Sequence, residues 1–381
     1  MRKTFRLLPA FLSVAIVIPL LVGCSGTPSS DTRPPAPSET TDTLPEPLYT
    51  LDHSQLPDVT TDANGFELYA VPEQYLFVDS ARKGTVETIK YTAEVYSVEA
   101  KENLAPGSLT EEKTLYVYLP AGYTPEKQYN ILYLLHGSNE TQDYWFYEEK
   151  GYSLFFRQIY GIEDAGYMEN RTVNMVDNLF ADGVNEDFII VTPSYYSSLR
   201  AADAYGTERE DMQFWHDEFE KELRRDIIPL VETRYSTYAK GDVSEAGVKA
   251  SRDHRALAGF SNGSRFISTV GLPNMLDVFS YFGSFHGSPA MTADDVRSIM
   301  TARSDCAINY WYNGMAVKDI MVKDQRALCE DIEANMSDVF TDGVNFAVVD
   351  KPEGLHSYDS AILDLYNFFH VVFKGTSPAS I

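Results

Sequence analysis

The feature that most constrains the fold is a serine between a buried strand and a helix. Residues 255–263 read Arg-Ala-Leu-Ala-Gly-Phe-Ser-Asn-Gly and end in a G-x-S-x-G pentapeptide centred on Ser261. The small apolar residues before the serine are typical of a buried strand, and residues 264–270 can start a helix. The flanking glycines let neighbouring backbone pass without a Cβ clash, so Ser261 can project its hydroxyl from the sheet edge. The pattern predicts a nucleophilic serine at a strand-to-helix turn.

The rest of the chain alternates between strand-like and helical patterns. Continuous apolar runs, typical of strands covered on both faces, occupy 131–135, 187–193, 257–260, 279–285, 307–312 and 344–349. Helical patterns occupy 171–182, 215–231, 322–336 and 361–373. Residues 87–98 and 114–120 have the composition of antiparallel strands at a sheet edge. We therefore predict an α/β fold whose doubly wound, mostly parallel sheet has helices on both faces.

Ligands of such sheets bind beyond the carboxyl ends of the strands. His136, Ser261, His286 and the loop 313–320 all follow predicted strands. We expect these groups to gather on one rim of the sheet.

A serine hydroxyl needs a base and an orienting acid, and around this type of turn the acid and then the histidine are expected to follow the serine. Three histidines follow Ser261. His370 lies in an apolar helical run, and His286 would precede any plausible acid. His356 lies between the last strand and the last helix, so it is the predicted base.

The acid is expected at the end of the strand that precedes the base. Asp319 is the first carboxylate after the apolar run that ends at Tyr312, and it is the predicted acid. Asp324 is the alternative, although its position predicts a place inside the next helix. The catalytic residues predicted from the sequence are thus Ser261, His356 and Asp319.

Two backbone N–H groups are needed to hold the oxyanion. We predict those of Asn262, directly after the nucleophile, and of Ser138, in the loop after the first apolar run. Trp145, His286 and Tyr195 are candidate substrate contacts, because they fall at strand ends or in long segments that could roof the site. The alternative for the aromatic pair is that they pack these segments onto the body of the protein.

Four motifs in order carry a family resemblance. They are residues 133–137, 175–183 with 191–193, 259–263 with 283–287, and 354–357. With them the chain resembles the esterase D group of α/β-hydrolases, which includes the feruloyl and acetyl-xylan esterases of carbohydrate esterase family 1. The turn at 314–319 is longer than the acid turn common in that group.

The resemblance implies an α/β-hydrolase fold and a serine esterase. Its substrates would be feruloyl or acetyl esters on plant cell-wall polysaccharide or oligosaccharide. Two alternatives remain open: an acyltransferase with the same triad, and a carbohydrate-binding lipoprotein that has lost catalysis.

The first 48 residues have the composition of an export signal and a linker. Arg2, Lys3 and Arg6 precede an apolar run at 7–22, and Cys24 follows Leu-Val-Gly. This end resembles a bacterial lipobox, which implies a signal peptide at 1–23 and a lipid on the Cys24 sulfur. The protein would then be extracytoplasmic and anchored to the bacterial membrane, unless the cysteine follows an ordinary signal by chance. Residues 24–48 predict a disordered Ser/Thr/Pro-rich tether, and 49–381 a single domain.

Charge and cysteine content limit the partners. A net charge of −25 makes nucleic acid an unfavourable partner, because such a surface repels phosphates. Cys306 and Cys329 could pair in an exported protein or remain free thiols. The sequence shows no Cys/His spacing typical of a metal site, so no metal or cofactor is expected.

Overall fold

Eight strands form one mixed sheet in the computed structural model, which describes residues 71–96, 99–100, 103–138, 140–147, 170–197, 209–352, 354–374 and 378–380. The strands are β1 Thr85–Glu94, β2 Thr110–Leu119, β3 Ile131–Leu135, β4 Ile189–Thr192, β5 Arg255–Phe260, β6 Tyr281–Phe285, β7 Tyr310–Ala316 and β8 Phe346–Lys351. Their order is β1-β2-β4-β3-β5-β6-β7-β8. Strand β2 is antiparallel to β1 and β4, and the other pairs are parallel. The predicted mostly parallel sheet with antiparallel edge strands is confirmed.

Helices in the described residues connect these strands. They are α1 Glu73–Phe77, α2 Thr172–Ala181, α3 Arg209–Glu222, α4 Ile228–Arg234, α5 Glu245–Ala250, α6 Asn262–Phe266, α7 Leu272–Asn274, α8 Ala293–Ala302, α9 Lys323–Asn335 and α10 Tyr358–Phe369. None of them has the length and hydropathy needed to cross a membrane.

Two of the helical segments contain a π-helical turn before a proline. Leu223–Ile227 joins α3 to α4 ahead of Pro229, and Ile267–Gly271 joins α6 to α7 ahead of Pro273. A proline lacks the N–H of an α-helical hydrogen bond and crowds the preceding turn. Widening that turn into a π turn lets the helical segment continue to the proline.

The sheet separates two apolar layers. Strand β3 is buried along its whole length, with Ile131, Tyr133 and Leu135 in one layer and Leu132 and Leu134 in the other. Successive side chains of a strand point to opposite faces, so this division is expected of a strand that is covered twice. The helical pattern predicted at 215–231 has one apolar face, and that face packs in the first layer. Its residues are Trp215, Phe219, Leu223, Ile227 and Val231.

All described residues belong to one compact unit. The predicted signal peptide, Cys24 and the tether lie outside the described residues. Cys306 and Cys329 are both buried and are not joined by a disulfide.

The turn from β5 into α6 is packed tightly against backbone. A Cβ on Gly259 would lie 2.6 Å from the carbonyl carbon of Gly263. A Cβ on Gly263 would lie 2.7 Å from the carbonyl oxygen of His136 and 2.8 Å from the Cβ of Leu135. Neither contact can be relieved by a side-chain rotation. The close approach of the backbone segments at this turn therefore requires glycine at both positions.

We expect Gly263→Ala to lower the free energy of unfolding by ~1–3 kcal/mol, because overpacking at a site of this kind forces backbone to shift. Urea denaturation followed by circular dichroism measures the change. Gly271→Ala is the matched control on the same helical segment, since its nearest neighbour is a Leu257 methyl at 3.1 Å. Equal losses in the two variants would contradict this account of the turn.

Candidate active site

Ser261 lies between β5 and α6 with φ 55° and ψ −111°, a left-handed conformation that is unusual for a residue other than glycine. Its hydroxyl lies 2.8 Å from Nε2 of His356, in the loop between β8 and α10. Nδ1 of His356 lies 2.7 Å from Oδ2 of Asp319, which follows β7. The structure therefore brings together the three residues predicted from order and position.

Asp319 is held in a buried turn. Its amide donates to the carbonyl of Ala316 at 3.0 Å, and its Oδ1 accepts from the amide of Met321 at 2.7 Å. Burial disfavours the charged carboxylate, but hydrogen bonds from His286 and His356 hold the pKa of Asp319 well below its usual value. The carboxylate is therefore ionised in the folded protein and can accept from both rings.

The alternative acid does not join this group. Asp324 lies in the first turn of α9 and accepts a hydrogen bond from Ser288 Oγ at 3.2 Å. The acid turn looks long in the sequence because β7 continues to Ala316, beyond the apolar run that ends at Tyr312. Measured from the end of the strand, Asp319 is only three residues away.

His356 is suited to take a proton. Burial lowers the pKa of its imidazole, and the hydrogen bond and charge of Asp319 oppose that change. With Nδ1–H donating to Asp319, Nε2 is left as the acceptor for the Ser261 hydroxyl. The neutral ring is in the tautomer that a general base requires.

The loop after β3 faces the nucleophile and is fixed by side chains. The amide of Gly137 donates to Glu140 Oε2 at 2.8 Å. That amide is occupied, which leaves the next one, that of Ser138, as the candidate oxyanion donor. The side-chain N–H of Asn262 donates to Ser138 Oγ, so the residues that carry the two predicted donors are in contact.

Tyr195 is a buried residue that packs against the same loop and hydrogen-bonds to it. Its hydroxyl donates to the carbonyl of Gly137 at 2.7 Å, and its ring stacks on His136 at a centroid distance of 4.2 Å. His136 is fully buried, and its Nε2 lies 3.0 Å from Ser194 Oγ. No local sequence pattern indicates this supporting role, because it depends on contact between two segments about 60 residues apart in the chain.

The side chains predicted to contact substrate are buried. Trp145, His286 and Tyr195 are 0%, 1% and 4% exposed. The indole N–H of Trp145 donates to the carbonyl of Leu135 at 3.1 Å, beneath the site. This placement differs from the prediction, because a side chain needs exposed surface to touch a ligand. The burial of Trp145 and Tyr195 agrees with the alternative, in which these side chains pack their segments onto the body of the protein.

His286 is instead a second partner of the acid. It follows β6 with φ 53°, and its amide donates to the carbonyl of Gly314 at 2.8 Å. Its Nδ1 lies 2.6 Å from Oδ2 of Asp319, the same oxygen that His356 contacts. The prediction that His286 and Ser261 share one rim of the sheet is met, but the ring points inward.

In the described part of the chain, His286, Asp319 and His356 also form a group with the residue types of a metal site, whose ligand atoms lie within 4.8 Å of one another. The two Nδ1 atoms lie 2.6 and 2.7 Å from a single carboxylate oxygen. Zinc ligands at ~2.0–2.2 Å in tetrahedral geometry would be separated by more than about 3 Å. The spacing is that of direct hydrogen bonds and does not fit an ion between the groups.

Comparisons with known proteins find similarity to esterases. Residues 107–291 match the family model described as "Putative esterase". The chain is 33% identical over 175 residues to endo-1,4-beta-xylanase Y of Acetivibrio thermocellus, an alignment that covers 46% of this chain and 13% of that protein. It is 28% identical over 189 residues to an endo-1,4-beta-xylanase/feruloyl esterase of Xylanibacter ruminicola, covering 47% of this chain and 20% of that protein. The chain thus spans a fifth or less of the length of these relatives.

A solved structure extends the match to most of the fold. It is a serine-to-alanine mutant of the feruloyl esterase module from Clostridium thermocellum complexed with sinapinate. The TM-score is 0.60 at 23% identity, and the alignment covers 84% of this chain and 97% of the other. The resemblance predicted from the sequence is therefore confirmed: the chain matches the putative esterase family through residues 107–291 and has the α/β-hydrolase fold of the feruloyl esterases.

Proposed function

We propose that this protein is a serine esterase that hydrolyses feruloyl or acetyl esters on xylan-type cell-wall polysaccharide or its oligosaccharides. The observation that carries the proposal is the hydrogen-bonded series Ser261–His356–Asp319, with distances of 2.8 and 2.7 Å. The names of the two sequence relatives, a xylanase and a xylanase/feruloyl esterase, support the substrate class.

The geometry supports a two-step mechanism. His356 Nε2 takes the Ser261 proton as Oγ bonds to the ester carbonyl carbon, and Asp319 stabilises the imidazolium that forms. The amides of Asn262 and Ser138 hold the oxyanion. The bond to the alcohol then breaks, and His356 gives its proton to the departing oxygen. In the second step water attacks the acyl-enzyme with His356 again as base, which releases the acid and restores Ser261.

The surface beside the acid favours an aromatic acyl group over acetyl. Val317, Ile320 and Met321 are 60%, 58% and 42% exposed on the loop that carries Asp319. Adjacent exposed apolar side chains commonly mark a binding surface. A feruloyl ring can cover such a surface, whereas an acetyl group is too small to do so.

The test is a panel of methyl ferulate, methyl p-coumarate, p-nitrophenyl acetate and feruloylated or acetylated xylo-oligosaccharides. We expect kcat/KM for the feruloyl esters to exceed that for the acetyl esters by at least ~10-fold, since burial of an aromatic group contributes more than ~1.4 kcal/mol. Hydrolysis of acetyl esters alone would overturn the aromatic assignment. Ile320→Ser should reduce the preference, and Val344→Ser, an exposed apolar residue near the start of β8, serves as the control.

The same assays separate the alternatives. An acyltransferase would move the acyl group to an added sugar acceptor faster than to water, and product analysis by mass spectrometry would show it. A carbohydrate-binding lipoprotein would turn over none of the esters. Either result would overturn hydrolysis as the function.

We infer from the Leu-Val-Gly-Cys sequence that Cys24 carries a lipid that anchors the protein outside the cytoplasm. Wild-type protein expressed in a bacterial host should incorporate labelled palmitate and partition into detergent, whereas Cys24→Ser should do neither, because the acceptor sulfur is lost. Ser25→Ala is the matched control and should behave as wild type. A Cys24→Ser protein that still entered the detergent phase after signal cleavage would contradict the lipid assignment.

A further inference from the structure

A buried row of ionisable side chains continues behind the acid. Lys351 donates to Oδ1 of Asp364, and Oδ2 of Asp364 lies 3.2 Å from Nε2 of His286. Nδ1 of His286 lies 2.6 Å from Asp319, which contacts His356. The side chains of Lys351, Asp364, His286 and Asp319 are at most 2% exposed. This row, from Lys351 through Asp364, His286 and Asp319 to His356, is called the buried relay below.

The fold makes room for the buried relay at one glycine. Asp364 projects from α10 toward β7, where a Cβ on Gly314 would lie 2.2 Å from the Asp364 Cγ. Tyr312, two residues earlier on the strand, donates its hydroxyl to Asp364 Oδ1 at 2.9 Å. With Lys351 on the same oxygen, Oδ1 has two donors, and Oδ2 lies 3.2 Å from Nε2 of His286.

The contacts of His286 favour a hydrogen on each ring nitrogen. Nδ1 faces the ionised carboxylate of Asp319, so it carries a hydrogen. In a neutral ring Nε2 would then present a lone pair to the oxygen of Asp364 at 3.2 Å. Two buried acceptors facing each other are unfavourable. A hydrogen on Nε2 turns this contact into an attraction between ions.

The charge balance leads to the same state. Asp319 and Asp364 contribute two negative charges, and Lys351 contributes one positive charge. A neutral His286 would leave a net negative charge in a region without exposed surface, which is strongly unfavourable. A cationic His286 makes these four groups neutral.

We propose that His286 is a positioning residue, held as an imidazolium between Asp319 and Asp364, that fixes the acid and keeps the base unprotonated at lower pH. The proposal rests on the proposed function only in taking His356 as the general base. His286 donates to the oxygen that orients His356, and its charge lies close to that ring, with centroids 5.9 Å apart. A like charge at this distance disfavours a second cation.

The groups that face His286 come from several elements. They are Asp319 after β7, His356 after β8, Lys351 at the end of β8, Asp364 on α10 and Tyr312 on β7. Burial lowers the pKa of Lys351, while the charge of Asp364 opposes this change. After burial and the opposing effect of Asp319, the charge of His286 also lowers the pKa of His356.

His286→Asn tests the charge, because an asparagine N–H can still donate toward Asp319 but carries no charge. We expect kcat to fall ~10-fold with little change in KM, which is the size of effect seen when a partner that orients a functional side chain is removed. We also expect the acidic limb of the kcat/KM profile for p-nitrophenyl acetate to move up by about one pH unit, because a neighbouring cation is lost. A residue with a merely structural role would leave that limb in place.

His254→Asn is the matched control. His254 contacts Asn130 at 2.7 Å just before the start of β5, at the opposite end of the strands from Ser261. Its removal should leave the acidic limb unchanged. An unshifted limb in His286→Asn, or the same shift in both variants, would overturn the proposal.

Nitrogen-15 NMR of histidine-labelled wild-type protein provides a direct test that needs neither a substrate nor a stable variant. Both ring nitrogens of His286 should be protonated under conditions in which Nε2 of His356 is not. A single protonated nitrogen on His286 would overturn the proposal even if ester hydrolysis is found. A doubly protonated ring in a protein that hydrolyses no ester would sustain the cationic state of His286 and reject the proposed function.

Discussion

Ser261→Ala should abolish ester hydrolysis and leave the fold unchanged. Loss of the nucleophile removes the acyl-enzyme route, so we expect kcat to fall at least ~10⁴-fold. Ser261 already has φ 55° in the wild-type turn, and an alanine at this position adds no atom that could clash. Initial rates on methyl ferulate and p-nitrophenyl acetate measure the loss, and circular dichroism checks the fold.

A matched serine on the same helical segment separates chemistry from packing. Ser268 is buried and donates its hydroxyl to the carbonyl of Arg265 at 3.0 Å, away from the triad. Ser268→Ala should keep its rate within a factor of a few. If Ser261→Ala retained a tenth of the wild-type rate, the nucleophile would have to be another residue.

Asp319→Asn should have the second largest effect, with kcat lowered by ~10⁴-fold. Both His286 and His356 donate to Oδ2, and Oδ1 accepts from the amide of Met321. An asparagine has only one accepting oxygen, so at least one of these contacts is lost. The His356 tautomer needed for proton transfer is then no longer favoured.

The control for the acid is the carboxylate that the sequence could not exclude. Asp324→Asn changes a residue in the first turn of α9 that accepts from Ser288 and does not contact the triad, and its rate should stay within a factor of a few. Both variants are compared on one aryl ester at pH 7. A severe loss in Asp324→Asn with a mild one in Asp319→Asn would reject the proposed acid.

Chain order and local pattern were enough to predict the fold and to select Ser261 and His356, which the structure brings into contact. Ser261 follows a short apolar strand and precedes a helix, and both patterns are local. His356 falls between the last strand and the last helix. These assignments depend on sequence neighbours, which is why they could be made before the structure was known.

The features that the sequence did not predict are those created by tertiary contacts. Arg255 begins β5, is 1% exposed and forms a bidentate ion pair with Glu232, which no local pattern indicates. Trp145 and Tyr195 looked like roof residues because nothing local shows what covers a side chain. The role of His286 depends on Asp364, which is 78 residues away in the chain.

The position of β8 in the sheet has a consequence for how the protein is inactivated. Strand β8 ends the strand order and pairs with β7, whereas β5, which precedes Ser261, lies inside the sheet. Edge strands open locally at a lower free energy than the centre of a fold. Local opening of β8 would move His356 away from Ser261, while Ser261 itself stays in place. We therefore expect activity to be lost on heating by fraying of β8, at a temperature below the melting temperature of the whole sheet.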